Sequence, residues 1–333
     1  MGAGERDGSR GGAAGRGAAA ARQDPGGRTA RDPPAEGAHA ALAIRRPGQR
    51  DPRRRGGLRR RVRHRRAPGG RGRVPREAPA GLRSRSLKVR TVTVDFWGTL
   101  LLDGPGSDDR YRRIRVADFA RILAGAGERA TPAQLDRGYE ASATWLGRVW
   151  SRNRDIPVTE HVRAILAAVD ARLPDRLSPA TLQALVDAYA RPALAVPPAV
   201  DHGARAALQA LRARGIRLAL VSNTMRTPGA TLRRLLAGYG LLDLFACTVF
   251  SDEVGIRKPD PEIFLRALRG AGGEPETAVH VGDDETLDVE GARVARMRVI
   301  QVTADPAAAA AGADAAISRL ADLPGAVADL DGR

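Results

Sequence analysis

The stretch Val92-Thr-Val-Asp-Phe-Trp-Gly-Thr-Leu-Leu101 decides the fold of this chain. Its β-branched and aromatic residues predict a short buried strand that gives way to a loop at Gly98. Asp95 stands at the end of that strand, where a carboxylate is costly to bury unless it is paired, metal-bound or reactive. Ligands of open α/β sheets bind beyond the carboxyl ends of the strands, so Asp95 is a candidate functional residue. The alternative is an aspartate that only caps the turn.

Residues 105–199 lose strand character and show apolar residues at helical spacing. Thr131 and Gln134 form a capping box with Pro132 at the first helical position, and Ser178 is a second predicted cap. Helices are predicted over residues 111–123, after Thr131, over residues 160–173 and after Ser178. An all-helical segment placed directly after the first strand predicts a separate domain, called here the helical insert.

An alternation of strands and helices returns from residue 200 onward. Strands are predicted at 216–221, 247–250, 277–281 and 298–302, with helices between them and a last helix at the C-terminus. Asp260 and Pro261 are the predicted cap and first residue of one of these helices. The predicted fold is therefore α/β, with a Rossmann-like three-layer parallel-sheet core formed by residues 89–104 and 200–333.

The first 90 residues differ sharply from the rest in charge. They contain 25 basic and 7 acidic residues and no Phe, Tyr or Trp, which leaves 30 basic and 31 acidic residues in 91–333. Residues 1–88 are rich in Gly, Ala, Arg and Pro and lack apolar periodicity, which predicts disorder. Their arginine clusters favour contacts with phosphate backbones, so any nucleic-acid role would rest on residues 1–90 alone.

A second interpretation of residues 1–88 is that the start of the chain is misassigned. Gly, Ala, Arg and Pro are encoded by GC-rich codons in almost any frame, and a valine start codon at Val89 would begin a compact protein. Both interpretations stay open. The one cysteine, Cys247, cannot form an intramolecular disulfide and is expected to be a small core residue. With no signal peptide and no membrane-length apolar run, a soluble cytoplasmic protein is expected, in an undetermined oligomeric state.

Polar groups follow four of the predicted strands, and in a parallel sheet they converge on one edge. A carboxylate at Asp95 can attack phosphorus, and the carboxylates of Asp283 and Asp288 can hold Mg²⁺. The hydroxyl of Ser222 and the ammonium of Lys258 can neutralise charge on the transferring oxygens. Only two of the 55 basic residues are lysine, which favours a site at Lys258 that a planar guanidinium would not fit.

Four motifs in this order resemble the haloacid dehalogenase superfamily of hydrolases: DFWGTL at 95–100, LALVSN at 218–223, GIRKPDPEIF at 255–264 and HVGDDETLDVEGA at 280–292. The resemblance implies that Asp95 is the nucleophile and that Ser222, Asn223 and Lys258 bind the phosphoryl group. It also implies a Mg²⁺ site, and the helical insert resembles a cap domain that closes over the site. The expected substrate is a small phosphorylated metabolite. The implied Mg²⁺ ligands are Asp95, the Trp97 carbonyl, Asp283 and Asp288.

Trp97 departs from the pattern of the family's phosphatases, which carry a second Asp two residues after the nucleophile. The loss of such a general acid–base typically costs 10²–10⁴-fold in rate. Three interpretations stay open: a phosphatase that is slow, limited to good leaving groups or dependent on another residue, a metal-independent 2-haloacid dehalogenase, and a regulatory protein that binds a phosphorylated ligand. His202 is considered as a substitute acid, but its position favours a surface residue at the start of a helix. The acidic pair at 283 and 288 favours Mg²⁺ and phosphate, and the absence of lysine from 89 to 257 excludes a Schiff-base phosphonate hydrolase.

Other polar and aromatic residues are expected to be structural. His280 is interpreted as a packed strand residue, and Asp284 either supports the metal site or caps the following helix. Arg-rich positions at the start of the helical insert are assigned to a solvated face, with contact to an anionic substrate as the alternative: Arg112, Arg113 and Arg115. Aromatic residues at helical spacing are assigned to the core of the insert or to its interface with the sheet domain, with substrate contact as the alternative: Tyr139, Trp145 and Trp150.

Overall fold

The structure, a computed structural model, describes residues 88–331. The two interpretations of residues 1–88, a disordered basic segment and a misassigned start, therefore concern residues outside this range apart from Lys88. Within the described range, no helix combines the length and apolarity that crossing a membrane requires. The cytoplasmic location stays a prediction.

Six parallel strands form the central sheet, in the order β5-β4-β1-β6-β7-β8, and two short strands form a separate antiparallel pair, β2-β3. The predicted parallel α/β fold is confirmed. The strands are β1 (Thr91–Val94), β2 (Leu101–Leu102), β3 (Ala199–Val200), β4 (Arg217–Ser222), β5 (Cys247–Phe250), β6 (Ala278–Gly282), β7 (Arg298–Val302) and β8 (Ala315–Ile317).

Three strands were not predicted from the sequence. β2 and β3 are two residues long each, which is too short for a period-2 pattern to show. The prediction that the strand at 298–302 is the last one was wrong, because β8 pairs with it in parallel. The residues of β8 are Ala-Ala-Ile in an alanine-rich stretch, and alanine is depleted in strands.

Helices cover both faces of the sheet. Alternate residues of β4 belong to two different apolar clusters: Leu218 and Leu220 to one, Ala219 and Val221 to the other. The helices are α1 (Ser107–Gly125), α2 (Pro132–Trp150), α3 (Val158–Val169), α4 (Leu173–Arg176), α5 (Pro179–Ala190), α6 (Pro192–Ala195), α7 (Ala204–Ala213), α8 (Gly229–Gly238), α9 (Ser251–Val254), α10 (Pro261–Ala271), α11 (Gly291–Val294) and α12 (Leu323–Asp331).

Helices α1 to α6 lie in the helical insert, between β2 and β3. Five of them, α1 to α5, contribute to a third apolar cluster, which includes Phe119, Leu166 and Tyr189. The antiparallel pairing of β2 with β3 holds together the two connections through which the chain leaves and re-enters the sheet. The insert thus has a core of its own beside the two clusters that cover the sheet.

The predicted helix caps are confirmed, and one predicted helix is divided. Thr131, Ser178 and Asp260 each accept a hydrogen bond from a backbone N–H in the first turn of their helix. The single helix expected at 160–173 is instead α3 and α4, because Asp170 adopts an extended conformation and its carboxylate accepts from the backbone N–H of Arg172.

Candidate active site

The carboxyl ends of three adjacent strands carry the central residues of the site. β1 lies between β4 and β6, so Asp95 after β1 is flanked by Ser222, the last residue of β4, and by Asp283 directly after β6. The Asp95 backbone N–H donates to the carbonyl of Val281 at 2.9 Å, which extends the pairing of β1 with β6 by one residue. The sheet therefore brings these polar residues to one edge, as the sequence predicts.

Lys258 joins two of the predicted carboxylates. Its Nζ donates to Asp95 Oδ1 and, at 2.6 Å, to Asp288 Oδ1. The Asp288 oxygen also contacts His280 Nε2 at 3.0 Å, and the other ring nitrogen of His280 lies 2.8 Å from the hydroxyl of Thr93. The Asp95, Lys258 and Asp288 side chains are at most 6 % exposed, so the charges interact in a dry environment.

The charges of this cluster shift one another's pKa. Burial alone would lower the pKa of Lys258, but the Asp288 and Asp95 carboxylates outweigh it and hold that pKa above its ordinary value. Burial would raise the pKa of Asp288, but Lys258 and His280 hold it well below the usual range. The pKa of Asp95 is raised, chiefly by burial and by repulsion from Asp288 and Asp283. Asp283 and Asp288 thus repel the charge of Asp95, and a cation placed among the three carboxylates would relieve that repulsion.

The donor set fits a magnesium ion. Asp95, Asp283 and Asp288 each offer a carboxylate oxygen, and these three oxygens lie within 4.8 Å of one another. Hard carboxylate oxygens are the ligands that Mg²⁺ prefers. A glycine makes room for the Asp283 carboxylate, since a Cβ at Gly98 would lie 2.5 Å from Asp283 Oδ2. Gly98 also has a φ of +79°, a conformation that favours glycine.

Ser222 and Asn223 lie at the end of β4 beside this cluster. Ser222 is fully buried, and its hydroxyl donates to the carbonyl of Asn223 at 3.4 Å. The Asn223 side chain is engaged with the main chain of Lys258: Oδ1 accepts from the Lys258 N–H at 2.9 Å, and Nδ2 donates to the Lys258 carbonyl at 3.1 Å. In this arrangement the amide of Asn223 fixes the segment that carries Lys258.

Trp97 places an indole at the position where phosphatases of the haloacid dehalogenase superfamily, which the sequence resembles, carry a second aspartate. Its ring packs edge-on against Phe96, with 4.8 Å between the centroids, and borders the apolar cluster on one face of the sheet. The indole Nε1 is buried without a hydrogen-bond partner among residues 88–331. His202, the substitute acid considered from the sequence, is exposed in the turn before α7.

A family model of the haloacid dehalogenase-like hydrolases matches residues 89–296. The chain belongs to this family. It is 35 % identical over 239 residues to a phosphoserine phosphatase of Thermus thermophilus, covering 64 % of this chain and 88 % of the relative. It is 37 % identical over 230 residues to the human haloacid dehalogenase-like hydrolase domain-containing protein 3, covering 63 % and 80 %.

The structural comparison agrees with the family assignment. A 2-haloacid dehalogenase from Pseudomonas syringae pv. Tomato superposes with a TM-score of 0.53 at 26 % identity, covering 72 % of this chain and 99 % of the other. The chain is thus a phosphatase-like hydrolase of the haloacid dehalogenase-like family, which confirms the predicted superfamily and enzyme class.

Some residues of this hydrolase differ from their predicted surroundings. The assignment of Arg115 to a solvated face was wrong: its guanidinium is buried and donates to the carbonyls of Tyr189 and Arg226 and to the hydroxyl of Tyr139. Helical spacing alone did not predict the burial of Arg115. Its acceptors are carbonyl and hydroxyl oxygens, so no pattern of charged residues in the sequence indicates these contacts. His280 is packed in its strand as expected, yet it also contacts Asp288.

The contacts of two other residues near the site define their roles. The Asp284 carboxylate accepts from the backbone N–H groups of Thr286 and Leu287, so it caps the short π-helical turn Glu285–Glu290 that carries Asp288. Asp155, in the loop between α2 and α3, was not singled out from the sequence. Its side chain is fully buried against Arg257, the residue before Lys258.

Proposed function

We propose that this hydrolase is a Mg²⁺-dependent phosphatase that acts on a small phosphorylated metabolite through an aspartyl-phosphate intermediate at Asp95. The observation that carries the proposal is the cluster of three buried or half-buried carboxylates with Lys258 at the end of β1. The phosphatase names of relatives such as the Thermus enzyme support the choice of phosphate. Such carboxylates fit a divalent cation, whose charge would in turn offset the charge of a phosphate substrate.

Asp95 is the proposed nucleophile. One of its carboxylate oxygens forms a bond to phosphorus while the bond from phosphorus to the ester oxygen breaks and the alcohol leaves. Lys258 is the proposed cation for the transferring group: its ammonium already contacts Asp95 Oδ1, so it would lie beside the oxygens of a phosphoryl group on Asp95. Ser222, at the end of the adjacent strand, is the proposed hydroxyl donor to the same oxygens.

Asp95, Asp283, Asp288 and the backbone carbonyl of Trp97 would hold the Mg²⁺ ion. When bound, the ion supplies positive charge that offsets the repulsion between the carboxylates and the phosphate. The chain's own contribution is the rigidity of the ligands: Asp288 Oδ2 accepts from the backbone N–H of Asp284 at 3.0 Å, and Asp283 accepts from the Thr99 hydroxyl at 3.3 Å. These contacts orient the carboxylates before substrate binds.

Trp97 shapes the proton transfers of the proposed reaction. An indole does not exchange a proton at neutral pH, so the leaving alcohol takes its proton from water rather than from residue 97. Water then attacks phosphorus, the bond from Asp95 to phosphorus breaks, and inorganic phosphate is released. Substrates with good leaving groups are therefore expected to react fastest. The helical insert, residues 105–199, is the proposed cap that covers the site and limits the entry of water.

A second candidate function is metal-independent dehalogenation of a 2-haloacid, in which Asp95 would attack carbon. The similarity to the Pseudomonas 2-haloacid dehalogenase and the aromatic residue at position 97 favour it. The carboxylates at 283 and 288 count against it, since without a cation they would repel the carboxylate of a haloacid. A protein that binds a phosphorylated ligand without turnover is the remaining hypothesis.

Phosphate release by the full chain from p-nitrophenyl phosphate and from a panel of sugar phosphates tests the proposal. We expect multiple turnovers with Mg²⁺, none with EDTA, and none for Asp95→Asn in either condition. Turnover that persists in EDTA contradicts the metal requirement. Absence of phosphate release across the panel, together with chloride release from 2-chloropropionate, would establish the dehalogenase instead, and tight binding of a panel member without turnover would indicate a ligand-binding protein.

A further inference from the structure

We propose that Asp155 of the helical insert is a positioning residue for Lys258 and for the loop after β4, so that contact with the insert completes the active site. This inference rests on the proposed function, in which Lys258 neutralises the phosphoryl group. Its basis is a set of buried hydrogen bonds that run from Asp155 to two segments of the sheet domain, residues 223–226 and residues 251–258.

The Asp155 carboxylate lies between the insert and the sheet domain, and its side chain is fully buried. On the insert side, Oδ1 accepts from the indole N–H of Trp150 at 3.0 Å and from the backbone N–H of Ile156 at 2.9 Å. On the sheet side, Oδ2 accepts from Ser251 Oγ at 2.5 Å and from Arg257 Nη1 at 2.7 Å. A single carboxylate therefore bonds residues of both parts of the molecule.

The backbone reinforces this contact. The Asp155 N–H donates to the carbonyl of Gly255 at 3.2 Å, and the Arg257 N–H donates to the carbonyl of Asn153 at 3.1 Å. The Arg257 guanidinium also lies over the Trp150 ring, 4.5 Å from its centroid. The segment that ends in Arg257 is thus held by backbone bonds, an ion pair and a ring contact, all of them from the insert.

Two short connections lead from Asp155 to the proposed catalytic groups. Arg257 is bonded covalently to Lys258, whose main chain is clamped on its other side by the Asn223 amide. Ser251 Oγ, which donates to Asp155, also accepts from the backbone N–H of Thr224 at 2.9 Å. Both segments that border the site are therefore tied to one carboxylate, and a shift of that carboxylate would move both.

The charge of Asp155 is required for this arrangement. Arg257 is buried, and its burial lowers the pKa of the guanidinium, which the Asp155 carboxylate partly offsets. Without the carboxylate, Arg257 would be a buried cation that must move toward water or toward another acceptor. Such a movement would carry the neighbouring Lys258 with it, and a displacement of about 1 Å at a reacting group can cost on the order of 10²-fold in rate.

Asp155→Asn in the full chain tests this inference, because it keeps the side-chain shape and the Oδ1 acceptor but removes the charge. Arg154→Ala is the matched control: Arg154 precedes Asp155 in the same loop and pairs with Asp260 across the same boundary, but its side chain is 57 % exposed. With p-nitrophenyl phosphate and Mg²⁺, we expect kcat of Asp155→Asn to fall about 10–100-fold with KM changed less than about threefold. Arg154→Ala should stay within about threefold of wild type in both.

Amide hydrogen exchange provides a readout that does not depend on turnover. We expect Asp155→Asn to accelerate exchange in peptides covering 223–228 and 251–260, and to leave β1 and α3 unchanged. If the wild type releases no phosphate, the proposed function fails and the exchange result alone decides whether Asp155 positions the two segments. Wild-type kcat in the folded variant, or unchanged exchange in both segments, would overturn the inference.

A second variant covers the case in which Asp155→Asn does not fold. Arg257→Lys keeps a positive charge opposite Asp155 but loses the planar group that lies over Trp150 and contacts Met225. We expect a decrease in kcat of about 3–30-fold and faster exchange in the same two segments. A folded Arg257→Lys protein with wild-type kcat and wild-type exchange would likewise overturn the inference.

Discussion

Replacement of Gly98 by alanine tests the geometry of the proposed metal site, and a control variant accounts for its effect on the stability of the fold. A Cβ at this position would lie 2.5 Å from Asp283 Oδ2, 2.9 Å from Oδ1 and 2.8 Å from the carbon between them. Ordinary contact of a Cβ begins near 3.4 Å, so the carboxylate would have to retreat by about 0.9 Å. A displacement of that size predicts a loss of about 10–100-fold in kcat/KM and a higher Mg²⁺ requirement.

The backbone of Gly98 adds a separate cost that needs a control. Its φ of +79° is unfavourable for an L-residue, and alanine there should lower the free energy of unfolding by about 1–2 kcal/mol. Gly127, shortly after the end of α1, has the same φ of +79°, and no neighbouring atom lies within 4 Å of the position that a Cβ would take there. Gly127→Ala therefore carries the backbone strain without displacing a carboxylate.

Both variants are compared with wild type by phosphate release against Mg²⁺ concentration and by thermal unfolding. We expect similar decreases in melting temperature, about 2–8 °C, and a loss of activity in Gly98→Ala alone. The reasoning is refuted if Gly98→Ala keeps a kcat/KM and a Mg²⁺ dependence within about threefold of Gly127→Ala, because the position of Asp283 would then not matter for the reaction.

Three further predictions concern Trp97 and two buried titratable groups. Trp97→Asp should raise turnover of alkyl phosphates by at least about 10-fold relative to p-nitrophenyl phosphate, since it supplies a general acid; an unchanged ratio of the two rates would contradict this. Burial lowers the pKa of His161 to about 4, so below pH 6.5 the unfolded chain binds a proton that the folded chain does not. The free energy of unfolding of the wild type should therefore fall by about 2 kcal/mol between pH 7 and pH 5. In urea unfolding, the free energy of His161→Phe should not show this decrease. The same pH dependence in the variant and the wild type would show the pKa assignment to be wrong. Burial raises the pKa of Asp252 to about 6, so its ionisation destabilises the fold as pH rises from about 4 to 6. Asp252→Asn should therefore have a free energy of unfolding about 1–2 kcal/mol above that of the wild type at pH 8, but not at pH 4. Equal gains at both pH values would contradict that sign.

The order of the main elements could be predicted because periodicity and caps are local properties. Cys247–Phe250 and Arg298–Val302 have the predicted bounds, and Thr131, Ser178 and Asp260 cap helices as expected. The strands β2, β3 and β8 could not be predicted in the same way. Their pairing depends on partners that are distant in sequence, and their residues give too few alternations or too little β-propensity to show.

The convergence of Asp95, Ser222 and Asp283 at one edge of the sheet could be predicted, because the carboxyl ends of adjacent parallel strands lie together. What the sequence did not reveal is which groups contact each other. The buried arginine Arg115 and the carboxylate of Asp155 both act between the insert and the sheet domain, at sequence separations of 74 or more residues from several of their partners. Contacts of that kind have no local pattern, so only the structure shows them.

Lys258 stands out both in the composition of the chain and in the geometry of the site. Fifty-three of the 55 basic residues are arginine, so a lysine within a motif stands out from the sequence alone. In the structure its Nζ contacts the carboxylates of Asp95 and Asp288, with a side chain 2 % exposed. A guanidinium presents a planar fork of five N–H donors, which is wider than the gap that one nitrogen fills between these two oxygens. Arginine in this place would push the carboxylates apart, and with them the oxygens that we propose hold the metal.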